Sequence, residues 1–254
     1  MALTDYQGLG SEGVHPYTDA KTAGLNMIDA VRALRWTFGD VSNRWAAIGA
    51  SQGGGAAWAA DEQASAYAPD MELVGALAIS PAADVSRLVE KAQAGTLTPD
   101  QRPAFQAIIE SLAKLHLDIN RDDFRSGSAA RNWDILSACS GPDVLKRNAA
   151  AEALGPSDLK PRSSKAAQQI QNYLSKWALP QQRLSAPLFV WYSGMDTLID
   201  AEWTRASIEK ACQLGGDVQW KFEADKGHGE TDVGGLLPWV VDRFAGKPAG
   251  DDCA

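Results

Sequence analysis

Gly49-Ala50-Ser51-Gln52-Gly53 constrains this chain more than any other stretch of it. An apolar run, Trp45-Ala46-Ala47-Ile48, comes before, and Gly54-Gly55-Ala56-Ala57-Trp58-Ala59-Ala60 follows as a helix start. Strand, Gly-x-Ser-x-Gly and helix, in that order, are the context of a nucleophile elbow. So tight a turn holds its serine in a strained backbone conformation, and the flanking Gly49 and Gly53 are expected to spare the crossing strand and helix a side-chain collision. The hydroxyl then stands above the sheet, beside the positive end of the new helix. Taken alone, the same residues also make an ordinary glycine-rich strand-to-helix turn, so the rest of the chain has to decide.

Upstream, Thr18 or Asp19 reads as the N-cap of an amphipathic helix running to about Trp36, with Leu25, Ile28, Val31 and Leu34 at three-residue steps. Short strands are expected at 44–49, 73–79, 187–192 and 218–222, and helices at 52–66, 201–213 and 235–245. Strands that are apolar throughout and alternate with helices indicate a mostly parallel α/β sheet covered on both faces. Residues 85–183 break the rhythm. They hold no convincing strand, and Phe105, Ile108, Ile109, Leu112 and Leu115, then Ile170, Tyr173, Leu174 and Trp177, read as helix faces joined by polar loops. An insertion of about 100 residues is too long for a loop. The expected division is therefore a core of 1–84 and 184–254 with a helical cap, or lid, at 85–183 over the carboxyl ends of the strands, where α/β folds keep their sites.

Composition narrows the function classes. With 254 residues and 45% apolar content the chain can bury one sizeable core, or a core plus a cap. A net charge of −8 without any basic run argues against nucleic acid as a partner. Nothing approaches the roughly 18 consecutive apolar residues of a membrane span. Met1-Ala2-Leu3-Thr4-Asp5-Tyr6 lacks the basic and apolar regions of a signal peptide, so a cytoplasmic location is expected if Met1 is the native start. Cys139, Cys212 and Cys253 have no metal-type spacing, and neither zinc nor a cofactor is expected. Two readings of the cysteines stay open: three free thiols, or a Cys212–Cys253 bridge made by a tail that folds back.

A serine nucleophile needs a base, and the base needs an orienting carboxylate. Three histidines allow elimination. His15 lies in a loop ahead of the elbow, and His116 ends a cap helix, where a structural histidine is expected. His228, in Asp225-Lys226-Gly227-His228-Gly229-Glu230, follows the last strand and fits a Ser…Asp…His chain order. Asp196, following strand 187–192 through Ser193-Gly194-Met195, is the favoured acid; Asp84 is its main competitor, and Asp200, Asp225 and Asp232 are weaker candidates. The backbone N–H of Gln52 supplies one oxyanion donor. The second has no His-Gly-Gly run to come from, which leaves the loop 5–13, with Asp5 or Tyr6 as its candidates.

Thr4-Asp5-Tyr6-Gln7-Gly8-Leu9-Gly10 and then Gly13-Val14-His15-Pro16-Tyr17, followed by the Ser51 elbow, Ser193-Gly194-x-Asp196 and Gly227-His228, resemble the microbial secretory lipase family, the lipase A type of α/β-hydrolase. The resemblance covers nearly the whole chain. It implies a secreted protein that hydrolyses carboxylic esters, acylglycerols included, without a cofactor. Members carry a substantial portion ahead of the Thr-Asp-Tyr run, with several strands and the loop that gives the second oxyanion donor; here Met1 stands three residues before that run. The nucleophile strand is therefore expected at an open sheet edge, where a homodimer could form edge to edge. The resemblance also implies a lost disulfide partner for Cys139. The chain reads as either a fragment or a short relative. The expected function is an esterase or lipase working through an acyl-enzyme. The alternatives are an acyltransferase with the same triad, or a catalytically silent hydrolase serving as a binding or assembly module.

Overall fold

The computed structural model describes residues 1–253. In chain order its elements are α1 (Ala20–Thr37), β1 (Arg44–Ala50), α2 (Gln52–Tyr67), β2 (Glu72–Ile79), α3 (Leu88–Ala94), α4 (Gln101–Leu115), α5 (Gly127–Leu136), α6 (Val144–Glu152), α7 (Ser164–Trp177), β3 (Leu188–Ser193), α8 (Ala201–Gln213), β4 (Val218–Glu223) and α9 (Val233–Phe244). They form two compact units. One comprises Met1–Glu12, Thr18–Asp84 and the chain from Trp177 onward; the other comprises Gly13–Tyr17 and Val85–Lys176.

The first unit is built on one parallel sheet of order β1-β2-β3-β4, with Ala47 beside Ala76, Ala76 beside Leu188, and Leu188 beside Val218. Side chains alternate along each strand. Ala76, Ala78, Leu188 and Val190 pack with Trp58, Ala60 and Ile28 in one core, while Leu77, Ile79, Phe189 and Trp191 pack with Leu236 and Val240 of α9 in the other. Both faces are covered, which is why the strands read as unbroken apolar runs. Because α2 lies between sheet and α1, small residues dominate it. A side chain on Gly24 of α1 would stand 2.6 Å from the Ala60 nitrogen.

Two acids of α2 are also inside. Asp61, fully buried, accepts the N–H groups of Ser185 (2.8 Å) and Ala186 (2.9 Å). Glu62 accepts those of Gln181 (3.0 Å) and Gln182 (3.3 Å). Together they fasten the loop that leads into β3. Burial opposes their charged forms and raises Asp61 to about 8 and Glu62 to about 7.

The sheet's two edges differ. The tail crosses the outside of β4: Asp252 N–H donates to the Val218 carbonyl (2.9 Å), and its carboxylate accepts the Trp220 N–H (3.0 Å). A Cys212–Cys253 disulfide, spanning 41 residues, locks the tail to α8, while Cys139 is free and exposed. At the other edge, β1 pairs with β2 alone among the described residues, and Ile48 and Leu3 are exposed there beside a groove of about 440 Å³.

The second unit is helical. Phe105, Ile108, Ile109 and Leu112 of α4 and Ile170 and Leu174 of α7 are buried, as their spacing predicts. Helices α3, α5 and α6 lie where the sequence pattern suggests only loops. Glu110, nearly buried, accepts the Trp133 indole N–H (2.8 Å) and pairs with Lys114 (3.1 Å) and Arg121 (3.0 Å). His116 closes α4 and stacks on Tyr173 at 4.0 Å. The His15 carbonyl accepts the Ser111 hydroxyl (2.6 Å). No helix among the described residues is long and apolar enough to cross a membrane.

Candidate active site

Ser51 stands between the last residue of β1 and the first of α2, with φ 56° and ψ −119°. A side chain that leaves the backbone so is costly, on the order of 1–3 kcal/mol, and persists only where the surroundings enforce it. Here they do. The Ser51 N–H donates to the Ile79 carbonyl at the end of β2 (2.8 Å), and the Ser51 carbonyl accepts from Gly55 (3.1 Å) and Ala82 (3.0 Å). The elbow is thus clamped through its N–H to the end of β2 and through its carbonyl to the segment just beyond that strand.

The flanking glycines are not equivalent. A Cβ on Gly49 would lie 1.9 Å from the Gly53 carbonyl oxygen, so strand and helix touch there and nothing larger fits. A Cβ on Gly53 would meet only the Tyr6 hydroxyl, at an ordinary 3.6 Å. The collision expected at both positions is real at Gly49 and absent at Gly53. Gly54 takes the tight place instead, 2.8 Å from the Ile79 carbonyl.

After β3 the chain turns through Asp196, whose side chain is 2% exposed. Its Oδ1 accepts the N–H groups of Leu198 (2.9 Å) and Ile199 (2.8 Å), which fixes the carboxylate plane. Its Oδ2 lies 2.7 Å from Nδ1 of His228, a ring 24% exposed. A carboxylate only accepts, so Nδ1 carries the hydrogen and Nε2 of the neutral ring keeps a lone pair. That tautomer suits a general base.

The loop holding His228 follows β4, the strand farthest from β1, yet it does not stay there. The Ser193 hydroxyl, at the end of β3, donates to the Gly227 carbonyl (3.0 Å), and Met195 N–H donates to the Lys226 carbonyl (2.9 Å). The Gly229 N–H donates to the hydroxyl of Ser80 (3.3 Å), immediately after β2. Ile79, the residue before Ser80, holds the Ser51 N–H. The base loop therefore reaches back across two strand ends to the strand that clamps the elbow.

The weaker acid candidates have places of their own in the chain. Asp200 precedes α8 as its N-cap residue, Asp232 precedes α9, and Asp225 is exposed. The backbone N–H of Gln52 belongs to the first turn of α2. In the loop before α1, the Tyr6 N–H donates to Thr4 Oγ1 (3.1 Å), and its phenol overhangs Gly53. Burial raises that phenol above its ordinary pKa, which keeps it a donor. The Asp5 carboxylate turns back against Gly10, where a Cβ would come within 2.5 Å of it. Among the described residues no cluster of His, Cys, Asp and Glu is arranged to hold a metal. Ser80 and Ser193 carry no signal in the sequence, since a serine closing an apolar strand reads as ordinary turn chemistry.

The comparisons agree with this architecture. A family model described as secretory lipase matches residues 1–252. Lipase A of Candida antarctica in its closed state superposes with a TM-score of 0.74 at 17% identity, over 94% of this chain and 58% of that one. The rice cell wall degrading esterase LipA of Xanthomonas oryzae, ligand-bound, gives 0.72 at 19% identity, over 94% and 69%. Likeness at such identities is a likeness of fold, and the chain spans little more than half the length of the Candida enzyme. Among curated proteins none matches in sequence.

Proposed function

We propose, from the premise that this chain belongs to the secretory lipase family, that it hydrolyses carboxylic esters through Ser51, His228 and Asp196. The observation that carries the proposal is the 2.7 Å Asp196–His228 pair, held on a loop that is tied to the same strand as the strained Ser51. Ser51 Oγ attacks the ester carbonyl carbon while Nε2 of His228 takes the hydroxyl proton. The Asp196 carboxylate stabilises the imidazolium and keeps the tautomer. Negative charge gathers on the former carbonyl oxygen, which accepts a hydrogen bond from the Gln52 N–H at the positive end of α2. Collapse breaks the ester C–O bond, and the proton on Nε2 goes to the leaving alcohol. A water molecule, deprotonated by the same nitrogen, then releases the acid and restores Ser51. The Tyr6 phenol is the second oxyanion donor in this scheme. Acylglycerols belong to the substrate class and secretion to its setting, both by kinship with the family. The free edge of β1 is the surface for pairing with a second copy, which sedentary monomers in sedimentation equilibrium would refute.

The experiment is hydrolysis of p-nitrophenyl esters, acetate through palmitate, beside Ser51→Ala. Turnover that falls by at least about 10⁴-fold in the variant is expected, because a triad serine acts as one unit with its base. Equal background rates from both folded proteins would overturn the enzyme and leave an assembly module. Release of acyl product onto added alcohols in preference to water would make it a transferase.

A further inference from the structure

The two peptide units beside His228 are each held by a buried serine hydroxyl. Ser193, 1% exposed, donates to the carbonyl of Gly227; Ser80, 2% exposed, accepts the N–H of Gly229. The two serines close β3 and β2, the middle strands of the sheet, so the ties reach into its most rigid part. Ser80 has a further property. Its φ is +41°, a left-handed value that a residue with a Cβ adopts at a cost and a glycine adopts freely. Its N–H donates to the Trp191 carbonyl (2.8 Å), a bond that glycine would make equally well. What glycine would lack is the hydroxyl, and among the described residues that hydroxyl is what bonds Ser80 to the base loop. Strain kept for the sake of one oxygen points to work done by that oxygen.

We propose that Ser80 and Ser193 are positioning residues for His228, fixing the peptides on either side of the ring so that Nε2 faces Ser51. The proposal rests on the esterase reading for its consequence in rate, but not for its geometry. Ser80 also joins two registers. Through the Ile79 carbonyl the same strand end holds the Ser51 N–H, so one short segment, Ile79-Ser80, sets nucleophile and base against a common frame. Asp196 fixes the tautomer and plane of the imidazole; the serines fix where the loop carries it. A displacement of about 1 Å in such a constellation costs on the order of 100-fold in rate.

The test is Ser80→Gly, with Ser193→Ala beside it and Ser193→Thr as the variant that keeps a hydroxyl. Rates are taken per reactive site, counted by titration to the end point with a p-nitrophenyl phosphonate. Ser80→Gly is expected to melt no lower than the parent, because it relieves the strained φ, and to lose roughly 10- to 100-fold in kcat with KM within twofold. Ser193→Ala should lose kcat similarly and Ser193→Thr should recover most of it. Amide hydrogen exchange at Gly229 should speed up at least tenfold in Ser80→Gly. Parent-like kcat and parent-like Gly229 exchange in a Ser80→Gly protein of equal or higher melting point would overturn the proposal. Should the parent itself match Ser51→Ala, the esterase reading falls alone, and exchange at Gly229 still decides the positioning role.

Discussion

The sheet unit and the helical unit handle awkward chemistry in opposite ways. Among the described residues, four that are not glycine have a left-handed backbone: Tyr6, Thr18, Ser51 and Ser80, all in the sheet unit. The helical unit makes its left-handed turns at Gly13, Gly95, Gly127 and Gly141, where they cost little. Buried acids follow the same division. Glu110 in the helical unit meets an indole N–H and two cations, whereas Asp61 and Glu62 in the sheet unit are held by backbone N–H groups and keep Oδ2 and Oε1 without a hydrogen bond. One unit is assembled for stability. The other stores strain at the elbow and the strand end beside it, and buries two acids at the opposite end of the sheet, against the loop that enters β3.

The comparison breaks most visibly at Asp196. Asp196→Asn keeps a similar shape but turns an accepting oxygen into a donor, which forces the hydrogen of His228 onto Nε2 and removes the base. Activity should fall roughly 10⁴-fold while the melting point moves little. A variant with more than about a tenth of parental kcat would mean that Asp196 is scaffolding, like Glu110, and that the two units differ less than the backbone suggests.

A smaller effect sharpens the contrast through one chemical change made twice. The Asp61 and Glu62 pKa values lie above those of the unfolded chain, so the native state binds more protons. Stability from this pair is full below about pH 4 and drains away as pH rises toward 8. Asp61→Asn removes a charge that is never welcome, and its urea midpoint should gain on the parent's steadily between pH 5 and pH 8.5. Glu110→Gln does the reverse, leaving Lys114 and Arg121 without their partner at a cost of about 1–2 kcal/mol, reduced because both cations are substantially exposed. Shifts of the same sign in the two units would dissolve the comparison.

Much of this was legible in the residues. The four strands announce themselves as apolar runs because both faces of the sheet are covered, and the elbow does so because Gly49 leaves no room for a side chain. Asp196 and His228 follow from chain order and the scarcity of histidine, and the structure brings them together. The hidden parts share a cause: they depend on partners far away in sequence. Asp61 and Glu62 look like solvated helix acids until loop 181–186 is seen on them. Ser80 and Ser193 look like strand ends until the base loop arrives from 149 and 34 residues away. The Cys212–Cys253 bridge is hidden for the same reason, since nothing local in Gly250-Asp251-Asp252 reveals the β4 edge that the tail crosses.

The central claim is that Ser51 is a nucleophile armed by His228, and covalent trapping tests it most directly. The folded protein is incubated with diethyl p-nitrophenyl phosphate, and the adduct is weighed and mapped. One diethylphosphoryl group per chain is expected, on the peptide containing Ser51, formed at least about 100-fold more slowly in His228→Ala. A folded chain that stays unlabelled, or that carries the group elsewhere, would contradict the account.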